Sequence, residues 1–365
     1  MAAGKKYGFS DFQWVAVMVS AILGAGMMTL PRAVGEIAGR DGWISIILAG
    51  FVAWTAALII WLLCRKFPTR TLPEMSMLIL GRPLGILVSA LYSLYALVVC
   101  SLALRILLSM LSTWVFIWVP LPVFLILILI AIGYVGRMGA ITLARLMEIK
   151  TILAVAIVFM FMVPLREFVS LNLRPVGGEG LKILQAVPNA SFSFLGFEVM
   201  LIFFPFLINK NKALKLNSIA LGLVTAAYAA GVVFVYGVLG LEYTLNLIWP
   251  LMTYMRIGTL PFVQRVDNML LFAWAGLIIS VATVHYFSAT YTLATLSKRK
   301  YHDIWVLVSL PLVYLLTNVP SNLAETFVFS EIVGMIGYPF LLGMAVLLLL
   351  VAKIRGLDER EGKKT

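Results

Sequence analysis

The chain is 365 residues long, 62% hydrophobic and only 12% charged, whereas soluble domains run at about 45–50% apolar and roughly 25% charged. That excludes an ordinary soluble enzyme and a disordered chain. Lys and Arg number 28 against 16 Asp and Glu, a net charge of +12. In a membrane chain such an excess sets orientation first, so no nucleic-acid partner is expected.

Cysteine and histidine narrow the chemistry further. Cys64 and Cys100 both fall in apolar stretches, and His285 and His302 show no ligand spacing. Neither a disulfide framework nor a metal centre is expected, no cofactor is implied, and no enzyme activity is predicted. The N-terminal stretch has no small-residue cleavage site, so it does not read as a signal peptide.

In chain order, apolar runs of about 20 residues predict ten spans: 10–37, 42–64, 84–112, 120–135, 140–164, 180–208, 213–240, 263–296, 304–318 and 328–353. The predicted fold class is therefore an all-α membrane protein with ten transmembrane helices in one integral membrane domain, 1–365. Segment 71–81 is too short to cross and predicts a helix in the loop after span 2. Segment 241–262, with Pro250 and Pro261, predicts the longest loop, holding a short helix. The charged tail, 354–365, is expected to fray.

With the N-terminus inside, the inner segments carry 18 Lys and Arg and the outer segments 7. The lipid bilayer and the positive-inside rule thus predict both termini, 65–82 and 298–303 on the cytoplasmic side.

Two spans carry their own interruptions. Span 1 has Gly24, Ala25 and Gly26 at mid-span, then Pro31; span 6 has Pro188, Asn189, Gly196, Glu198 and Pro205. Interruptions at matching positions in two halves point to inverted repeats with spans 1 and 6 broken at mid-membrane. Repeat one would cover about 10–164 and repeat two about 180–318, with a last helix at 328–353. Unwinding frees backbone N–H and C=O groups, which lipid does not tolerate. Freed N–H groups at a half-helix start suit a carboxylate, and freed carbonyls suit an ammonium. The alternative is plain: Gly24 and Gly26 can simply be a small-residue packing step.

Gly24-Ala25-Gly26 with Leu30-Pro31-Arg32, and Phe194-Leu195-Gly196-Phe197-Glu198, resemble the matching motifs of the amino acid–polyamine–organocation transporter superfamily. Within it the chain is most similar to the spore germination protein family, the B subunits of nutrient germinant receptors. That likeness extends to Arg65-Lys66-Phe67-Pro68 with Thr71-Leu72, and to Leu80-Gly81-Arg82-Pro83-Leu84-Gly85. The resemblance implies a bundle of spans 1, 2, 6 and 7 against a scaffold of spans 3, 4, 8 and 9. It implies a sensor in the inner membrane of spores, with A and C subunits as partners and a small nutrient, often an amino acid, as ligand. A proton-coupled amino acid transporter, or part of an ion-conducting pore, are the alternatives.

Ionisable groups inside spans are candidate functional groups. Glu198 is read as a gate or ligand-side acceptor, or as an acceptor for backbone freed by the break. Arg105 in span 3 either pairs with a carboxylate at an outer gate or snorkels. Arg145 and Glu148 read as an intrahelical pair. Lys150 snorkels beside Glu148, or, as the resemblance to proton-coupled relatives implies, fills a cation place lined by Ser280 and Thr283. Of Tyr92 and Tyr95, one hydroxyl would reach a ligand unless both only pack.

The expected ligand site is formed by Gly24, Ala25, Gly26, Phe194, Leu195, Gly196, Glu198 and Tyr95. Gly26→Val is expected to abolish ligand response, and Gly35→Val to act much less.

Overall fold

The computed structural model describes residues 8–24, 26–114, 120–178, 180–259, 266–297 and 302–359. Capping chemistry sets the helix starts. Ser10 accepts from the Gln13 N–H at 3.1 Å while Gln13 accepts from the Ser10 N–H at 3.0 Å, opening α1 (Asp11–Ile22). Pro31 sits in the first turn of α2 (Leu30–Ala38), where its missing N–H costs nothing. Then follow α3 (Gly42–Lys66), α4 (Leu72–Leu80), α5 (Arg82–Trp114), α6 (Leu121–Arg137) and α7 (Ala140–Met160). The predicted loop helix is α4, held by a Thr71–Glu74 capping box.

The second interrupted stretch is made of short pieces: α8 (Gly180–Gln185), a 3-10 turn, α9 (Ser191–Phe194), then 3-10 turns flanking α10 (Met200–Phe203). The remainder is α11 (Ala213–Leu239), α12 (Leu241–Leu245), α13 (Pro250–Ile257), α14 (Val266–Leu296), α15 (Asp303–Thr317) and α16 (Leu323–Ile354). The loop expected at 241–262 thus holds two short helices over its described part. The last helix starts five residues before the expected 328, because Asn322 accepts from the Glu325 N–H at 2.9 Å and caps it.

Among the described residues, six helical stretches are long and apolar enough to cross a bilayer, or seven if 180–194 and 197–206, which meet at 49°, count as one. Three shorter apolar helices are α1, α6 and α15. The central pair is α5 and α14, buried over most of their length, whereas α7 presents most of its surface outward.

Polar contacts sort into two ends. At one end Lys212 meets Asp11 at 2.8 Å, Arg137 meets Asp303 at 3.1 Å, and Lys210 caps the Pro205 and Leu207 carbonyls. At the other, Arg40 donates to the Arg174 carbonyl, Asn172 to the Gly237 carbonyl and Arg105 to the Ser321 carbonyl. The two interrupted stretches are tied at the first end, where the Phe9 N–H donates to the Phe206 carbonyl at 2.7 Å.

The expected fraying of the tail is corrected over its described part. Arg355 donates to the Ile79 carbonyl at 2.6 Å, a free acceptor at the end of α4, and Glu359 accepts from Thr69. Unpaired carbonyls at a helix C-terminus attract such cations, which is why the chain turns back here; 360–365 lie outside the described residues.

Candidate functional site

The two breaks lie against each other. In the second, Leu195 is extended and Gly196 has φ of 127°, a conformation that disfavours any side chain. A Cβ on Gly196 would stand 2.5 Å from the Ala21 carbonyl oxygen, and one on Gly26 would stand 1.6 Å from Ser193 Oγ. Gly196 lets backbone meet backbone, and Gly26 leaves room for the Ser193 side chain. Ala25 lies outside the described residues.

The backbone groups released by the breaks are mostly taken by side chains. The Gly24 N–H donates to Tyr228 Oη at 3.2 Å, and that hydroxyl lies 3.0 Å from the Ile22 carbonyl and 3.2 Å from the Ser193 carbonyl. Its single proton serves both carbonyls. Trp274 Nε1 donates to the Gly24 carbonyl at 2.8 Å, and Tyr236 Oη to the Pro31 carbonyl at 2.6 Å. A phenol from α11 therefore stands where a ligand group is expected between 24–26 and 194–196. Sequence reading missed Tyr228 and Trp274. Their signal is a polar-tipped aromatic amid small residues, Ala226-Ala227-Tyr228-Ala229-Ala230 and Ala273-Trp274-Ala275-Gly276.

Glu198 is fully buried. Its Oε2 accepts from the Gly196 N–H at 2.7 Å; its Oε1 accepts from Tyr95 Oη at 3.0 Å and lies 3.3 Å from His285 Nε2. His285 Nδ1 faces the Val281 carbonyl at 2.8 Å. A carbonyl only accepts, so Nδ1 carries a proton. One more proton must then lie between Nε2 and Oε1, held by the carboxyl or by the imidazole. Glu198 thus joins the break to α5 and α14 at once. His285, set aside as a metal ligand, was also missed.

The other candidates scatter. Arg105 Nη2 donates to the Ser321 carbonyl at 3.0 Å, in the turn that Glu325 caps. Lys150 Nζ donates to the Gly276 carbonyl of α14 at 3.3 Å. Ser280 and Thr283 donate back to the carbonyls of Gly276 and Ile279 in their own helix. Glu148 takes the Gln13 amide at 3.2 Å, so the Arg145–Glu148 pair is not made among the described residues. Phe194 packs edge-on against Tyr228, and Leu195 approaches Gly337 of α16. Tyr92 and Tyr95 are ring neighbours at 6.4 Å.

Open space lies to the α2 side of the breaks. A cavity of about 280 Å³ has Gly26 and Ser193 at its floor, with Thr29, Ala33, Ile106, Asn189, Phe192 and Ser330 on its walls. The Arg32–Glu36 ion pair at 2.7 Å and Glu331 stand around it. Small-ligand pockets start near 300 Å³, so this volume suits a molecule the size of an amino acid. Of the eight expected ligand-site residues, Gly26 lines it; Gly24, Phe194, Leu195, Gly196, Glu198 and Tyr95 do not.

A family model described as "Spore germination protein" matches residues 9–326. Spore germination protein YndE of Bacillus subtilis (strain 168) is 28% identical over 353 residues, covering 95% of this chain and 97% of that protein. Spore germination protein A2 of the same organism is 28% identical over 363 residues, covering 96% and 97%. Among solved structures, MhsT in complex with L-phenylalanine matches with a TM-score of 0.65 at 11% identity, covering 93% of this chain and 89% of that one. The last likeness is one of fold.

Proposed function

Because the chain belongs to the spore germination protein family, we propose that it is the transporter-like B subunit of a nutrient germinant receptor. It binds a small nutrient, an amino acid by size, and triggers germination together with A and C subunits in the inner membrane of the spore. The proposed architecture is ten spans in two inverted repeats. The interrupted segments α1 with α2, and 180–194 with 197–206, hold matching places, each followed by one long helix. The observation that carries the reading is the cavity floored by Gly26 and Ser193, where the two breaks meet. MhsT, which shares the fold, is named with L-phenylalanine bound, and a bound amino acid is in keeping with the reading. The ligand carboxylate is proposed to sit toward the first turns of α2, where helix N–H groups favour an anion.

The test is direct binding of an amino acid panel to the purified chain. Gly26→Val and Ala33→Leu both push side chain into the cavity, and each is expected to weaken binding about 10-fold or more. Gly26→Val must also displace Ser193, so Ala33→Leu, on the cavity wall, is the milder probe. Gly35→Val is no longer a suitable control, since a Cβ there would stand 2.6 Å from Tyr236 Oη. Gly222→Ala replaces it, because nothing lies within 4 Å of that Cβ. Wild-type affinity in both cavity variants would sink the site.

A second reading, proton-coupled amino acid transport, is favoured by the Lys150 ammonium on the Gly276 carbonyl, a cation held between α7 and α14. Concentrative uptake by the chain alone in proteoliposomes would select it over the sensor.

A further inference from the structure

We infer that Glu331 holds the ammonium of the ligand, and that the cavity thereby selects an amino acid with an uncharged, apolar side chain. The inference rests on the cavity as the nutrient site and adds the class of nutrient to it.

Glu331 lies eight residues past Leu323, the start of α16, a helix long and apolar enough to span. At a rise of about 1.5 Å per residue, that is about 12 Å along the helix. An ionisable group at such a depth belongs against protein or a wet cavity, not against lipid. Glu331 lines the cavity floored by Gly26 and Ser193. The first turn of the same helix gives the contrast. Glu325 is committed there, accepting from the Ser321 N–H and the Ser321 hydroxyl, each at 2.8 Å. Glu331 makes no hydrogen bond or ion pair among the described residues.

Polar groups at the floor and wall are uncommitted too. Ser193 is only 4% exposed. Its hydroxyl and the Asn189 side-chain amide make no hydrogen bond among the described residues. A buried hydroxyl ordinarily has a partner, so this one marks the floor as a place for a polar group of the ligand. A ligand with its carboxylate toward Ser193 and α2 would turn its ammonium to Glu331.

Charge decides the class. Of the charged residues that line the cavity, Arg32 and Glu36 neutralise each other at 2.7 Å, which leaves Glu331. One carboxylate suits one ammonium. A basic amino acid would bring a second cation with no carboxylate to meet it. An acidic one would bring a second carboxylate while Arg32 is already paired. Either would place an unpaired charge against apolar walls, which is costly. Those walls, Ile106, Phe192, Ile248 and Phe327, offer apolar contact, and they suit an aliphatic or aromatic side chain.

The experiment measures binding of L-leucine, L-valine, L-lysine and L-aspartate to the purified full chain, together with isocaproate, which is leucine without its amine. Leucine and valine are expected to bind, and lysine, aspartate and isocaproate to bind about 10-fold more weakly or worse. Glu331→Gln should weaken leucine about 10-fold and leave isocaproate unchanged, so that the preference for the amine disappears. Glu331→Asp should restore part of that preference. A merely structural Glu331 would weaken both ligands alike. Such an equal loss, an unaltered leucine affinity in Glu331→Gln, tighter binding of lysine or aspartate, or no binding of leucine and valine overturns the inference. Ala33→Leu separates its failure from that of the site. Leucine binding that falls in Ala33→Leu but survives Glu331→Gln keeps the cavity and removes Glu331 from it. Leucine binding indifferent to Ala33→Leu overturns both.

Discussion

A carboxylate and an imidazole buried 3.3 Å apart must agree on where one proton sits. With Nδ1 of His285 committed to the Val281 carbonyl, an ionised Glu198 beside a neutral ring would set lone pair against lone pair. Gln at position 198 reproduces the protonated arrangement. Its oxygen accepts the Gly196 N–H and its amide donates to His285 Nε2, while Tyr95 Oη, a donor to Glu198 in the wild type, turns to accept the second amide N–H. Glu198→Gln is therefore expected to stay within about 1 kcal/mol of wild type. Glu198→Ala strands three buried polar groups and should lose about 3 kcal/mol or more. Thermal unfolding of both variants in detergent checks the order. A Gln variant as unstable as the Ala variant would mean the pair is an ion pair, with its proton on the imidazole. Glu198 was legible as a buried acid next to a break. His285 was not, since its partner lies 87 residues away and helix packing brings them together.

At the scale of elements, the two breaks were readable because Gly, Pro and a lone acid interrupt otherwise apolar runs. What satisfies them was not. The aromatic that meets each freed group depends on how α11 and α14 turn against the broken stretches, and sequence spacing does not give that rotation. Tyr228 is the clearest case, since one hydroxyl touches Gly24, Ile22 and Ser193. Removing it in Tyr228→Phe leaves a buried N–H and up to two carbonyls short of a partner, at about 1–3 kcal/mol each when uncompensated. The variant is expected to reach the membrane, to unfold at lower temperature, and to show faster hydrogen exchange confined to 22–30 and 190–197. Uniform exchange across all helices would instead mark Tyr228 as ordinary core.

At the scale of the molecule, ten apolar runs were read and each corresponds to a helix or an interrupted helical stretch in the structure. Among the described residues six are long and apolar enough to span on that ground alone; the shorter ones need the fold to make the case. The proposed orientation, with both termini on the cytoplasmic side, rests on two observations of different kinds. One is the division of basic residues, 18 against 7. The other is that the polar contacts keep to their own end: Asp11 with Lys212 and Glu359 with Thr69 at one, Arg40 with Arg174 and Arg105 with Ser321 at the other. Charge placement supports the proposed orientation because translocating Lys and Arg is costly. Lys353 and Glu242 are both exposed and belong to opposite ends. The native thiols, Cys64 and Cys100, are buried, so labelling of introduced cysteines has a low background. A cysteine at 353 is expected to react with an impermeant maleimide only when the cytoplasmic face is open to it, and one at 242 only from outside. Labelling of both from the same face would require an even number of crossings between them, one crossing gained or lost from the three expected, and with it the paired five-helix repeats would fall.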